Sequence, residues 1–419
     1  MNGPVSSVDV PADRLQEGIY FRHSQRPGQS YRLLLLNLHS GTTASDARQA
    51  IAAVWTVLRE FRGGMIRDLH PPGSSGPLLP SSDVPYAGLT CLLGFGVRLF
   101  SQHPTLVSQN APRDARIQPE LEALSTDGDG APFPNLPWVA QPERSVGEAD
   151  LAIQCIAERE FVVSQAVVEV WKVVSDQRLP LDIVALYSGF NRDDARSWIG
   201  FYDGINNIAP SQRRGAIEVV RKHPAWMEGG TYMAFLRLAI DLTSWRSLSR
   251  AQQEVLVGRD KLTGCPLEQV TPGPQGALAP VPVAACPVSG TRPQRPEDID
   301  PPRPNDPLLR VSHMHRANHD RDHGSKEGSN RIFRQGYEFL ELLPAGRLQV
   351  GLNFVSFQRS LLRLKRMLTF TGWLNDVNFG GPTRNPPPGL PSVNFLSVIA
   401  GGYYAVPPKG EPFPGADLF

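Results

Sequence analysis

The chain has 419 residues, 41% of them apolar and 20% charged, which suits a globular protein of two or three domains with a sizeable core. Its 42 basic residues against 41 acidic leave a net charge of +1, and that balance weighs against nucleic acid as a main partner. Only four cysteines are present and none forms a CxxC pair, which excludes a disulfide scaffold, a zinc ribbon, a thioredoxin-type site and CxxCH haem attachment.

Met1 to Gln16 is polar and lacks both a basic stretch followed by an apolar run and a twin arginine, so a cytoplasmic location is expected. No run approaches the ~18 apolar residues of a membrane span. Tyr31–Leu38 (YRLLLLNL) predicts a buried strand. Thr43 to Arg62 follows with apolar residues at helical spacing, a capping Thr43 or Ser45, and Gly63-Gly64 as its stop. Leu89–Phe100 predicts a strand region broken by glycine, Asp150–Glu158 a strand, Phe161–Val174 a helix and Leu181–Leu186 a strand.

The second half repeats this order. Tyr232–Leu242 predicts a strand, Leu248–Val257 a helix, Arg331–Leu340 and Gly351–Gln358 strands, and Leu361–Phe370 a helix. Gly147–Val174 and Gly346–Phe370 read as counterparts: a glycine turn, an apolar strand, then a helix. The expected class is therefore α+β, a duplicated unit with helices packed on an antiparallel sheet. The units are drawn at 1–215 and 216–419. Cys265–Pro307 is too rich in proline for a central strand or a long helix and is expected to be a surface excursion. The Pro/Gly-rich region after Gly380 is expected to hold one short strand, Gly401–Val406.

Three places carry candidate chemistry. Gly200-Phe201-Tyr202-Asp203-Gly204 sets an acid between glycines. On its own this is as well explained by an Asp-Gly turn whose side chain caps its own backbone. His313, His315, His319 and His323 lie within eleven residues. The last three have i, i+4, i+8 spacing, which on a helix would make a divalent-metal face. The Asp, Gly, Ser and Asn content of 318–330 instead argues a loop. His313 differs, because it follows Leu308-Leu309 and Val311 and reads as lying at the edge of the core. Arg331-Ile332-Phe333-Arg334 places two arginines on a strand with apolar neighbours.

Taken together these blocks resemble the dye-decolorising peroxidase family over most of the chain. GFYDG is similar to the family's G-x-x-D-G, and Gly229-Gly230-Thr231-Tyr232 with Asp241-Leu242-Thr243-Ser244-Trp245 to its G-G-S-Y…D-L-x-x-W. Gly258 to Gly264 (GRDKLTG) is similar to G-R-x-K-x-T-G, SHMHRAN to S-H-I-R-x-A-N, RIFRQG to R-I-[LF]-R-R-G, and GLNFVSFQ to G-L-x-F-V-x-F-Q. Six blocks in the family's order make the resemblance specific. It implies two ferredoxin-like units, with haem in the second.

It also implies roles for individual residues. His313 becomes the proximal ligand of haem iron, Asp203 the distal acid/base and Arg334 the distal charge stabiliser, with Leu352 and Phe354 lining the distal pocket. Asp376 is the candidate for a carboxylate on the ligand histidine. The implied cofactor is one non-covalent haem b per chain. The implied partners are hydrogen peroxide and a small aromatic reductant, with no nucleic acid and no membrane. Asp203 suits proton shuttling if burial raises its pKa, while Arg334 stays charged and suits stabilising developing negative charge. Trp198 and Tyr337 are candidate electron relays, for which a plain core role is the alternative. A haem carrier without turnover, oxygen transfer to a small substrate, and a divalent-metal protein are the rival readings. The chain departs from the family pattern at His315, where arginine is common, and at Ile205-Asn206-Asn207-Ile208-Ala209-Pro210.

Overall fold

The computed structural model describes residues 14–19, 28–69, 88–107, 148–205, 207–208, 210–220, 225–284, 305–318, 330–369, 374, 389–390 and 395–419. In the first half the elements are β1 (Ser30–Leu38), α1 (Ala44–Arg62), β2 (Thr90–Gly96), α2 (Val97–Gln102), α3 (Pro104–Val107), β3 (Leu151–Ala157), α4 (Glu160–Asp176) and β4 (Leu181–Phe190). Then come α5 (Pro210–Ile217), β5 (Thr231–Ile240), α6 (Leu242–Ser247), α7 (Arg250–Val257), β6 (Leu267–Pro272) and β7 (Leu278–Pro282). The chain continues with α8 (Pro307–Arg310), α9 (His313–Ala317), β8 (Phe333–Leu342), β9 (Leu348–Gln358), α10 (Leu362–Thr369) and β10 (Leu396–Val406).

Why β1 is a strand follows from its two buried faces. Tyr31, Leu33 and Leu35 enter one apolar cluster, and Leu34, Leu36 and Leu38 enter another. A strand covered on both sides needs the continuous apolar run that YRLLLLNL supplies. Helix α1 starts where the Thr43 side chain accepts the Asp46 amide and stops at Gly63. It buries Ala47, Ala50, Ile51, Val54, Val57, Leu58 and Phe61 on one stripe.

Eight strands close into one antiparallel barrel in the order β1-β3-β2-β10-β5-β9-β8-β4. This corrects the expectation of two separate sheets. Each half alone would leave two open edges of unpaired N–H and C=O groups, and closure removes them. Within the first half the order is β4-β1-β3-β2, and within the second it is β10-β5-β9-β8. Both read fourth, first, third, second, with a helix after the first and after the third strand of each half. The two seams are short: Tyr404↔Gly96 and Ala405↔Phe95 join β10 to β2, and Phe190↔Glu338 alone joins β4 to β8. By contrast β1 pairs β3 over seven residue pairs and β9 pairs β8 over ten.

Other expectations are refined. The 89–100 region is a strand only to Gly96, after which the chain turns into α2. Part of the proline-rich excursion is a two-stranded hairpin, β6–β7, outside the barrel, with Pro272, Pro280 and Pro282 in its short strands. The closing strand runs from Leu396, not Gly401, and pairs β5 along its length. Cys265 is disulfide-bonded, a pairing that the cysteine count did not anticipate, while Cys91 and Cys155 are buried free thiols. Among the described residues no helix is long and apolar enough to cross a membrane.

Candidate active site

Strand β8 alternates between two environments. Phe333, Gln335, Tyr337 and Phe339 are buried, Phe333 and Tyr337 within the cluster inside the barrel. Arg334, Gly336 and Glu338 take the other face. On β9 the register sets Phe354 opposite Gly336 and Leu352 opposite Glu338, so these half-buried apolar side chains share that outer face. The expected placement of Leu352 and Phe354 on one side of their strand is thus what the register gives.

Asp203 reaches this face from the 195–205 turn. The turn is tied by Asp203 N–H to Ala195 O (2.9 Å), Ser197 N–H to Phe201 O (2.8 Å) and Gly200 N–H to Ser197 O (2.8 Å). Asp203 Oδ1 accepts the Gly204 amide at 2.7 Å, the self-capping bond of an Asp-Gly turn. Its other oxygen, Oδ2, lies over Gly336: a Cβ built there would sit 2.9 Å from it and 3.1 Å from Leu352 Cδ1. Gly336 is therefore the bare spot in the strand that lets the carboxylate in. Asp203 is exposed, which differs from the burial that the sequence reading wanted for a raised pKa.

Arg334 is held by the following loop. Its backbone N–H donates to Asn207 Oδ1 (3.1 Å), Asn207 Nδ2 donates to Arg334 O (2.7 Å), and Arg334 Nη2 donates to Ile205 O (3.0 Å). Asn207 imitates a neighbouring strand for one residue of β8. Desolvation pulls the Arg334 pKa down, and the charge of Asp203 pushes it back up.

His313 opens α9 behind the N-cap Ser312. Its position depends on the GRDKLTG block. Gly258 ends α7 in the left-handed region (φ 87°), and a Cβ there would lie 2.5 Å from Ser312 Oγ. Desolvation, then the positive charges of Arg334 and Arg259, hold the His313 pKa down to about 3, so the imidazole is neutral. The same block grips the Asp203 turn. Arg196 donates to Gly200 O and Lys261 O (2.7 Å each) and to Leu262 O (2.8 Å), and its guanidinium stacks 3.9 Å over the Tyr202 ring. A Cβ on Gly200 would strike Lys261 Cε at 2.5 Å.

The structure thus brings Asp203, Arg334, Leu352 and Phe354 to one sheet face and puts His313 within the field of Arg334. Asp376 lies outside the described residues. His315 is buried on α9, which ends at Ala317, while His319 and His323 lie outside the described residues. Among the described residues no group of three or more His, Cys, Asp or Glu could hold a metal ion. Sequence reasoning missed Asn207 and Glu338. Asn207 stands inside the run that departs from the family pattern. Glu338 continues the i, i+2 series of Arg334 and Gly336, and that was its one available signal.

A neutral imidazole in the field of Arg334, and a carboxylate over Gly336, thus border the half-buried apolar outer face of the barrel. Residues 194–411, just over half of the chain, match the family model described as Dyp-type peroxidase, C-terminal, and the chain belongs to that family. It is 24% identical over 359 residues to the deferrochelatase of Escherichia coli K12, covering 80% of this chain and 70% of that protein. It is 27% identical over 332 residues to the dye-decolorizing peroxidase of Thermobifida fusca, covering 75% and 65%. The fold is similar to the DyP-type peroxidase of Cellulomonas bogoriensis (TM-score 0.64, 20% identity, 96% of each chain). It is also similar to the oxyferrous DtpA of Streptomyces lividans (TM-score 0.65, 20% identity, 96% and 97%).

Proposed function

We propose that the protein is a haem b peroxidase that reduces hydrogen peroxide and oxidises an aromatic one-electron donor. The observation that carries the reading is the grouping of Asp203 and Arg334 on one sheet face, with a neutral His313 in the field of Arg334. The residues fit haem on three counts. His313 is the deprotonated imidazole that a metal requires. Leu352 and Phe354 offer apolar surface to a porphyrin. Gly336 leaves a cradle that any side chain would fill.

When bound, haem supplies the iron whose electrons break the O–O bond. His313 would hold that iron on one side. Asp203 Oδ2 takes the proton from one peroxide oxygen and returns it to the departing one. Arg334, pinned through Asn207 and Ile205, stabilises the negative charge that develops there without having to reorganise. Leu352 and Phe354 keep water away.

The finer architecture belongs to the same reading: two ferredoxin-like units, 1–215 and 216–419, with haem in the second. The matching strand order of the two halves and the short seams between them support it. The deferrochelatase relatives favour a second reading, in which haem is cargo or substrate and not a resident catalyst. A carrier would have no use for both Asp203 and Arg334, and so the peroxidase reading is preferred.

The test is His313→Ala beside His315→Ala. The first should lose haem or hold it loosely, and the second should keep it. Full occupancy with an unchanged absorption spectrum in His313→Ala would overturn the ligand assignment. An absorption spectrum before and after one equivalent of peroxide separates the two readings, because a carrier would not turn over the oxidant.

A further inference from the structure

Glu338 is the one carboxylate on the outer face of β8 that the mechanism leaves unused. It is 6% exposed and sits two residues beyond Gly336, the residue that Asp203 overlies. Two residues of strand span about 7 Å, so Asp203 stands between Arg334 on one side and Glu338 on the other. Glu338 Oε1 accepts the backbone N–H of Trp198, and Trp198 Nε1 donates to Phe339 O at 3.1 Å. Those two bonds staple the turn that carries Asp203 to the strand that carries Arg334. Glu338 Oε2 is buried with no hydrogen-bond partner among the described residues.

We propose that Glu338 is the second carboxyl group of this site, a positioning residue that staples the Asp203 turn to β8 and whose own charge, once it ionises, opposes the negative charge that develops on peroxide. The inference rests on the peroxidase reading above. The groups that face Glu338 are Asp203 from the turn, Arg192 and Asp194 from the loop after β4, and the Trp198 amide. Its cross-strand partners, Leu352 and Phe190, carry no charge. Burial is the largest influence and raises its pKa to about 7. Asp203 and Asp194 add to the rise, and Trp198 N–H and Arg192 oppose it. Below that pH Glu338 is neutral and adds no charge to the face that Asp203 and Arg334 share. Above it Glu338 gains a negative charge on that face, which opposes the negative charge developing on peroxide and offsets that of Arg334. Peroxide cleavage therefore slows as pH rises through neutrality.

Two variants of the haem-loaded protein test this. Glu338→Gln keeps an acceptor for Trp198 N–H and removes the titration. Its cleavage rate should match the wild type at low pH and should not fall above neutral pH. Glu338→Leu removes the staple as well and should be roughly ten- to a hundredfold slower at every pH. Infrared difference spectra across pH give a readout independent of turnover when recorded in a Glu148→Gln background, because that buried carboxyl also titrates near 7. In that background a protonated-carboxyl band should disappear near neutral pH while Glu338 is present and be missing once Glu338→Gln is added. Persistence of that band, or of the alkaline fall in rate, in Glu338→Gln would overturn the proposal. If the peroxidase reading itself is wrong, the wild type shows no peroxide cleavage, while the infrared band still follows Glu338.

Discussion

At the scale of single residues, Asp203 and Arg334 are proposed to act on the same peroxide by different physics, and pH separates them. Asp203→Asn keeps size and polarity but removes the base, so cleavage should slow by roughly 10²–10⁴-fold. Arg334→Leu removes a charge-stabilising donor and should cost on the order of 10²–10³-fold, with weaker cyanide binding as well. Stopped-flow rates across pH should show the acid limb vanishing in Asp203→Asn and persisting in Arg334→Leu. A wild-type rate and acid limb in Asp203→Asn would remove Asp203 from the mechanism. Both residues were picked out of the sequence because each sits in a block that resembles the family's, and the structure adds that the two lie on one sheet face. Asn207 was not legible, since a lone Asn in a loop gives no sign that its side chain will pair with the Arg334 backbone across 127 positions. The exposure of Asp203 was not legible either, because burial depends on which residues arrive from β8 and β9.

At the scale of elements, the motif glycines act as spacers that seat one element against another. Gly258 lets the end of α7 meet Ser312 and so seats His313. Gly258→Ala adds a left-handed penalty of roughly 1–2 kcal/mol and pushes Ser312. Lower thermal stability together with faster haem loss is expected. Lower stability with unchanged haem retention would show that the glycine serves folding alone. The start of β3 carries a pH effect. Glu148 has a buried Oε1 without a hydrogen-bond partner among the described residues, and burial raises its pKa from 4.5 to about 7. Its folded pKa lies above its unfolded one, so the native state holds the extra proton. Its contribution is complete below about pH 4.5 and is lost as pH rises through 7. Melting temperature in Glu148→Gln should therefore fall less over that window than in the wild type. An identical slope would place the effect elsewhere. Most elements were legible from periodicity: α1 kept its Thr43 cap, and β9 extended its predicted span by three residues. The hairpin β6–β7 was hidden because proline excludes a central strand and still permits a short peripheral one.

At the scale of the whole molecule, each half has long ladders of its own and the barrel is completed at two short seams. Sequence periodicity reveals strands and their faces and carries no record of which edges will meet, so the repeated order of elements was legible and closure was not. The signal lay in glycines that admit a neighbouring side chain. A Cβ at Gly94 would come 2.9 Å from Tyr404 Cβ at the β2–β10 seam. A Cβ at Gly189 would come 2.7 Å from Tyr337 Cβ and 2.8 Å from Asn353 Nδ2 at the β4–β8 seam. Gly189→Val should therefore open the second seam, at the roughly 1–3 kcal/mol typical of overpacking. Because β1 pairs β3 and β9 pairs β8 without help from that seam, their ladders should survive. Hydrogen exchange should show lost protection at Phe190 and Glu338, with the amides of β1, β3 and β9 still protected. Glu338 also holds the Trp198 amide, so the same substitution should slow peroxide cleavage although Gly189 has no place in the site. Uniform loss of protection across all eight strands would instead mean that the barrel folds as one indivisible unit, and that the seams are as strong as the ladders they join.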